Sequence, residues 1–276
     1  MTPRLRSPIS LDETLAAAQL LVRTPFFLRR RIDPATAKAI LRERLLNRER
    51  DFLALLQSAV YQHPPSPYRK LLSSAGCEYG DVVRLVTERG LEGALSSLHS
   101  AGVYLTVDEF KGRQPAVRGS GTFELDPRAL RNPGTGFHVL SQTSGSRGSR
   151  TRIPIDLAHV ADRVVDLCLN FEARGGLHWR FALWGFPGGA GTINTLLFSG
   201  IGRPPARWFS RLDLDAAGVP ARYRWNVRLL RLAALAGGVA LPATEYVPLE
   251  RPARVAEWLP FGVDLSPPVV GARLRD

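Results

Sequence analysis

The feature that most restricts the fold is a change of period near residue 100. Before it, apolar residues recur every three or four positions; after it, short apolar runs alternate with further helical stretches. In the first part, Ser10 and Glu13 have the spacing of a capping box ahead of Leu15, Ala18, Leu21 and Val22. Asp33 followed by Pro34 reads as an N-cap and first helical residue. They open a helix expected to run to about Gln62, with Ile40, Leu41, Leu45, Phe52, Leu55, Leu56 and Ala59 at helical spacing. His63-Pro64-Pro65-Ser66-Pro67 ends it, because proline cannot continue a helix. Shorter helices are expected over residues 68–74 and 81–100, the second interrupted at Gly90. Thr106 and Glu109 form another capping box.

From there strands are expected at 103–105, at Val117, and at 122–125, 137–140, 152–155, 181–184 and 207–209. Helices are expected from the Asp156 cap to about Glu172, then over 192–199, 227–235 and 252–259. Alternation of this kind argues for an α/β core behind a helical lead-in. The expected division is a helical region over residues 1–79 and an α/β region over 80–276.

Charge narrows the function classes. The formal net charge is +12, and the cations are nearly all arginine; Lys38, Lys70 and Lys111 are the only lysines. A basic chain can bind nucleic acid. Here the arginines are spread along the whole sequence and interleave with no aromatic motif, which argues against that class. Cys77 and Cys168 have no metal or redox spacing and read as reduced thiols. The start, MTPRLRSPIS, lacks the apolar core of a secretory signal, and no run of residues is apolar enough for a membrane span. A cytoplasmic protein without membrane contact is expected.

The most informative segment lies between the strands expected at 137–140 and 152–155. It reads Ser141-Gln142-Thr143-Ser144-Gly145-Ser146-Arg147-Gly148. Glycine lets backbone approach an anion closely, successive N–H groups can form a concave nest, and hydroxyls add neutral donors. Arg147, Arg150 and Arg152 add positive charge. The chain has no Gly-Lys-Ser or Gly-Lys-Thr, so this is not the P-loop of nucleotide triphosphatases. A polar hairpin turn without a ligand has a similar composition, so composition alone leaves both readings open.

Thr143-Ser144-Gly145-Ser146-Arg147-Gly148 resembles the Thr-Ser-Gly-[Ser/Thr]-Thr-Gly phosphate loop of the adenylate-forming superfamily. Thr151-Arg152-Ile153-Pro154-Ile155 is similar to the exit strand in the branch that holds phenylacetate–CoA ligase and acyl-protein synthetases; Thr151 stands where other branches carry a lysine. Leu183-Trp184-Gly185-Phe186-Pro187-Gly188-Gly189-Ala190-Gly191 resembles the glycine-rich segment that borders the acyl pocket there. The likeness runs from about Tyr68 to Pro260 and implies the N-terminal part of a ligase large domain behind the helical lead-in. It implies ATP phosphates held by Thr143, Ser144, Gly145, Ser146, Arg147, Gly148 and Thr151, with Mg2+ accompanying the nucleotide. It offers Trp184, Phe186, Gly188 and Gly189 as acyl-pocket candidates. The implied partners are a carboxylic acid and CoA or an acyl-carrier protein, with a separate chain as a source of the C-terminal part.

Two departures stand out. Arg147 replaces the usual threonine, and nothing after Pro260 resembles the family's later metal, ribose and lysine motifs. Thr244-Glu245 lacks the Tyr-Gly lead of the metal motif, so Glu245 reads as a turn or loop carboxylate, and no metal ligand and no catalytic residue is assigned. His63, His99, His138, His159 and His178 have no metal spacing and read as packing or surface groups. The chain on its own is therefore expected to be an incomplete enzyme or a non-catalytic remnant. A basic nucleic-acid-binding α/β protein is the alternative.

Overall fold

In the computed structural model, described residues are 11–136, 138–142, 152–258 and 272–274. The chain is a mixed helix-and-sheet protein with small sheets. It divides into two compact units, residues 41–135 and residues 1–40 with 136–276. A cut at 79/80 would fall inside the first of these. The helical lead-in expected up to residue 79 is present and strand-free among the described residues, but its first helix and the start of its second belong with the later sheet.

The two opening helices are α1 (Leu11–Arg29) and α2 (Pro34–Leu56). Ser10, the expected cap of α1, lies outside the described residues. The Asp33 cap forms as expected: its carboxylate accepts the Thr36 N–H at 2.7 Å. α1 continues through Pro25, which the sequence reading did not anticipate. Just before the proline, the Thr24 hydroxyl donates back to the Leu20 carbonyl at 2.7 Å, the i to i−4 bond that Thr side chains make in helices and that often bends them. α2 passes into a π-helical turn at Gln57–Tyr61 and stops at the proline cluster.

In the unit of residues 41–135, α3 (Pro67–Ser74) and α4 (Tyr79–Ser100) pack Leu72, Val82, Val86 and Leu98 around the end of α2. α4 is broken at Gly90, as expected. That residue takes φ 66°, a conformation glycine adopts without penalty. The expected strand at 103–105 does not form. Among the described residues this short run has no strand to pair with, and the Arg118 guanidinium takes the Gly102 and Tyr104 carbonyls instead, at 2.8 and 2.6 Å. Arg118 ends strand β1 (Ala116–Arg118), which pairs antiparallel with β2 (Gly121–Phe123). Its Nη atoms also meet both oxygens of Glu109, at 2.9 and 3.0 Å. Glu109 lies on the short helix α5 (Val107–Phe110), whose Thr106–Glu109 capping box is present. With both side chains mostly shielded from water, this bidentate pair is costly to break from one side, because the remaining charge is left unpaired.

The other unit holds the sheet. Strand β5 (Arg180–Gly185) leads to helix α7 (Gly189–Gly200), strand β6 (Arg207–Ser210), helix α8 (Ala221–Ala236) and strand β7 (Thr244–Tyr246). β5, β6 and β7 are parallel and adjacent, each joined to the next by a helix, the arrangement that parallel pairing demands. A short strand β8 (Ala272–Leu274) pairs antiparallel with the outer edge of β5. Strand alternation sends Phe181, Leu183 and Trp208 into the main core under α6 (Leu157–Ala173), α7 and α8. Ala182, Phe209 and Val247 go to the other face, beneath Val255 of α9 (Pro252–Ala256) and Trp258. β7 and β8 were not foreseen; three-residue strands carry too little period to read.

The Glu109–Arg118 pair yields a prediction. Its hydrogen bonds to Arg118, with smaller help from Thr106, hold the Glu109 carboxyl down to about 2, against 4.5 in the unfolded chain. Its stabilisation is then complete above pH 4.5 and lost as pH falls through about 2. Glu109→Gln should cost about 3 kcal/mol at pH 7 by stranding a shielded guanidinium. It should also flatten the acid limb of stability between pH 4.5 and 2, read by urea denaturation followed by circular dichroism.

Candidate functional site

The segment singled out by its glycine and hydroxyl content is bracketed by a two-stranded hairpin. β3 (Val139–Gln142) pairs antiparallel with β4 (Arg152–Ile155), from Val139 opposite Ile155 to Gln142 opposite Arg152. Both expected strands are thus present, the first starting two residues later than read. Thr143, Ser144, Gly145, Ser146, Arg147, Gly148 and Thr151 lie outside the described residues.

The base of the hairpin is anchored to α6. The His138 N–H donates to the Ile155 carbonyl at 3.0 Å, extending the ladder by one step. Its side chain crosses to the helix, where Nδ1 accepts the Leu157 N–H at 3.2 Å. Asp156 caps the same helix by accepting the His159 N–H at 2.7 Å. An imidazole whose Nδ1 accepts carries its proton on Nε2. That Nε2 is buried and has no hydrogen-bond partner among the described residues. Burial, and secondarily the Arg23 guanidinium, push the His138 imidazole below its ordinary value; Asp156 opposes the shift. His138 is the packing histidine the sequence suggested. Its link to the hairpin base was unreadable, because the two partners meet only after the chain has turned back.

The glycine-rich segment forms the turn from β5 into α7. Gly188 is the N-cap of α7 and donates its N–H to the Phe186 carbonyl at 2.9 Å; Gly189 is the first helical residue. A Cβ at Gly191 would stand 2.4 Å from the Phe186 oxygen, so the tight turn requires glycine there. Phe186 is half exposed, its ring 6.5 Å from that of Tyr223. α7 packs against β3, which brings the helix and the hairpin together. Three of the four acyl-pocket candidates therefore share one turn. Trp184 does not join them as an open pocket wall. It is partly buried among the residues of the opposite sheet face, and its Nε1–H donates to the Val247 carbonyl at 2.9 Å.

Glu245 lies on β7 and not in a turn or loop as expected. Its carboxylate accepts from Arg254 Nε at 2.6 Å, and Arg254 also pairs with Glu257 at 2.9 Å. These three residues, with Arg207, Phe209 and Trp258, line a cavity of about 120 Å³. Arg254 and Glu257 are visible in sequence as an i, i+3 pair, whereas Glu245 joins them only through the fold. Among the described residues no three His, Cys, Asp or Glu side chains stand close enough to hold a metal ion.

Comparison of the chain with protein families, with curated proteins and with solved structures finds no match in any of the three.

His138 sets a pH test. The unfolded imidazole takes up a proton near 6.5, the folded one only at lower pH. Stability is therefore untouched by this group above pH 6.5 and falls progressively below it. His138→Leu should lose about 1–3 kcal/mol at pH 8, because the buried Leu157 N–H forfeits its acceptor. It should also remove part of the stability slope just below pH 6.5. A slope unchanged in urea titrations would place that titration on another group.

Proposed function

We propose that this chain binds the phosphates of ATP at residues 143–151 and represents the phosphate-binding part of an acyl-activating, adenylate-forming ligase. The observation that carries the reading is the antiparallel hairpin, which joins the Ser/Gly segment to paired strands at both ends. Support also comes from α7, whose glycine turn follows β5 and whose body packs on β3. Backbone amides and hydroxyls of Thr143, Ser144, Gly145, Ser146, Gly148 and Thr151 would receive the β- and γ-phosphates, with Arg147 adding charge. Phe186, Gly188 and Gly189 would border the acyl group.

The reaction proposed for the complete ligase is carboxylate activation. A carboxylate oxygen attacks the α-phosphorus, the bond from that phosphorus to the bridging oxygen breaks, and pyrophosphate leaves with the electron pair. The acyl group then passes to a thiol of CoA or an acyl-carrier protein, and AMP departs. The protein's part in the first step is positioning and charge stabilisation. By the same resemblance, Mg2+ would travel with the nucleotide.

Adenylation needs four roles: phosphate binding, ribose anchoring, a metal carboxylate and a cation on the reacting phosphate. The sequence offers a candidate for the first alone. Each 1.4 kcal/mol of lost transition-state stabilisation costs about tenfold in rate, so losing three roles abolishes turnover. Calorimetric titration of the purified chain should show weak ATP binding, with Kd on the order of 1 mM. Arg147→Ala should weaken it further, and ATP–pyrophosphate exchange with aryl and fatty acids should stay at background. Absence of ATP binding would contradict the phosphate-loop reading. Exchange by a monomeric chain would assign the other roles to residues such as Glu245.

A further inference from the structure

Helices α1 and α8 pack side by side and meet at their C-terminal ends. There Arg29 Nη2 donates to the Ala236 carbonyl at 3.1 Å, and Leu28 Cβ lies 3.1 Å from where a Gly237 Cβ would stand. Each buries one face and leaves an apolar stripe in solvent. On α1 the stripe is Leu15, Val22 and Phe26; on α8 it is Trp225, Leu232 and Leu235. All six are 58–67 % exposed. The spacings are i, i+7, i+11 and i, i+7, i+10, one face of a helix in each case. At about 1.5 Å per residue the two stripes run about 16 and 15 Å, a matched length of three turns.

The charge on this surface has one sign. Arg23, Arg29, Arg30 and Arg228 are exposed along the stripes, and none is paired with a carboxylate among the described residues. α8 contains no acidic residue, and the two of α1, Asp12 and Glu13, stand in its first turn. Two of the arginines sit within the apolar stripes: the Arg29 guanidinium lies 5.8 Å over the Phe26 ring, and that of Arg228 lies 5.8 Å over Trp225.

We propose that the α1–α8 face is a docking surface for an acidic amphipathic helix of a partner protein. Such a helix, about three turns or longer, would lay leucine-type side chains between the two stripes and set Glu or Asp against Arg23, Arg29, Arg30 and Arg228. Charge argues against a second copy, which would bring four arginines against four with no acid on either stripe to meet them. An anionic bilayer would attract the same arginines, but a flat surface meets the two helix ridges and leaves the groove between α1 and α8 unfilled, whereas a single helix fills it and brings its own carboxylates. This inference concerns a different surface from the hairpin and does not depend on nucleotide binding.

The test uses the full chain and two fluorescein-labelled designed helical peptides of 18 residues, about 27 Å long. Both carry leucine at i, i+3, i+4 and i+7; one is flanked by glutamate and the other by lysine. Fluorescence anisotropy should show the glutamate peptide binding at least about tenfold more tightly than the lysine one, weakening as salt shortens the screening length. Val22→Glu and Leu232→Glu each replace an exposed side chain, so thermal melts should stay unchanged while peptide affinity falls at least about tenfold. Arg228→Glu leaves three arginines against one new carboxylate, so it should narrow the preference for the glutamate peptide without abolishing it. Failure of the glutamate peptide to bind, equal binding of both, or binding only to vesicles containing phosphatidylserine would each overturn the proposal. So would a dimer in sedimentation that Leu232→Glu dissolves.

Discussion

The sheet-bearing unit depends on one ring, that of Phe181 in β5. It stacks on Phe198 of α7 with centroids 4.6 Å apart and lies 4.9 Å from Phe171 of α6. One strand and two helices are thereby pinned at a single point, each ring contributing about 1.5–3 kcal/mol through burial. The consequences spread outward. α7, held on β5, also packs on β3; α6, held by Phe171, receives the hairpin through the bond from Leu157 N–H to His138. Gly200 allows this approach, because a Cβ there would stand 2.7 Å from Val164 Cγ2. The strands on either side of residues 143–151 are thus tied at their base to the core.

What could be read from the sequence was local, and what could not was made by the fold. The caps at Asp33, Thr106 and Asp156 act within three or four residues, and each formed at its expected helix. The Gly90 break and the stop at residues 63–67 followed from glycine and proline geometry alone. The apolar runs at 181–184 and 207–209 proved to be neighbouring parallel strands, since the residue patterns reflect burial on both faces. By contrast, the run at 103–105 has strand composition but no partner strand among the described residues, and Arg118 claims its carbonyls. β7, the seating of Trp184 on the second face, and the Glu245–Arg254 pair all depend on segments brought together across many residues. The division of the chain was hidden for the same reason: α1 precedes the long helix in sequence, yet it packs along α8.

The charge excess takes on structure as well. Several arginines are consumed internally: Arg118 in a shielded pair, Arg254 between two carboxylates, Arg48 on Glu92. Those of α1 and α8 meet no carboxylate among the described residues, and Arg23, Arg29 and Arg228 lie beside the apolar stripes. Uniform scatter along the sequence, which argued against a nucleic-acid footprint, therefore conceals a local concentration that exists only once α1 and α8 are side by side.

The central claim is that residues 143–151, held by the β3–β4 hairpin, receive nucleotide phosphates. Hydrogen exchange followed by mass spectrometry, with and without saturating MgATP, tests it at the right place. Slowed exchange in peptides covering residues 140–155, with a smaller effect at the β5–α7 turn, is the result expected. Bound nucleotide that leaves those peptides unchanged and protects another surface, such as the cavity between Arg207 and Trp258, would contradict it.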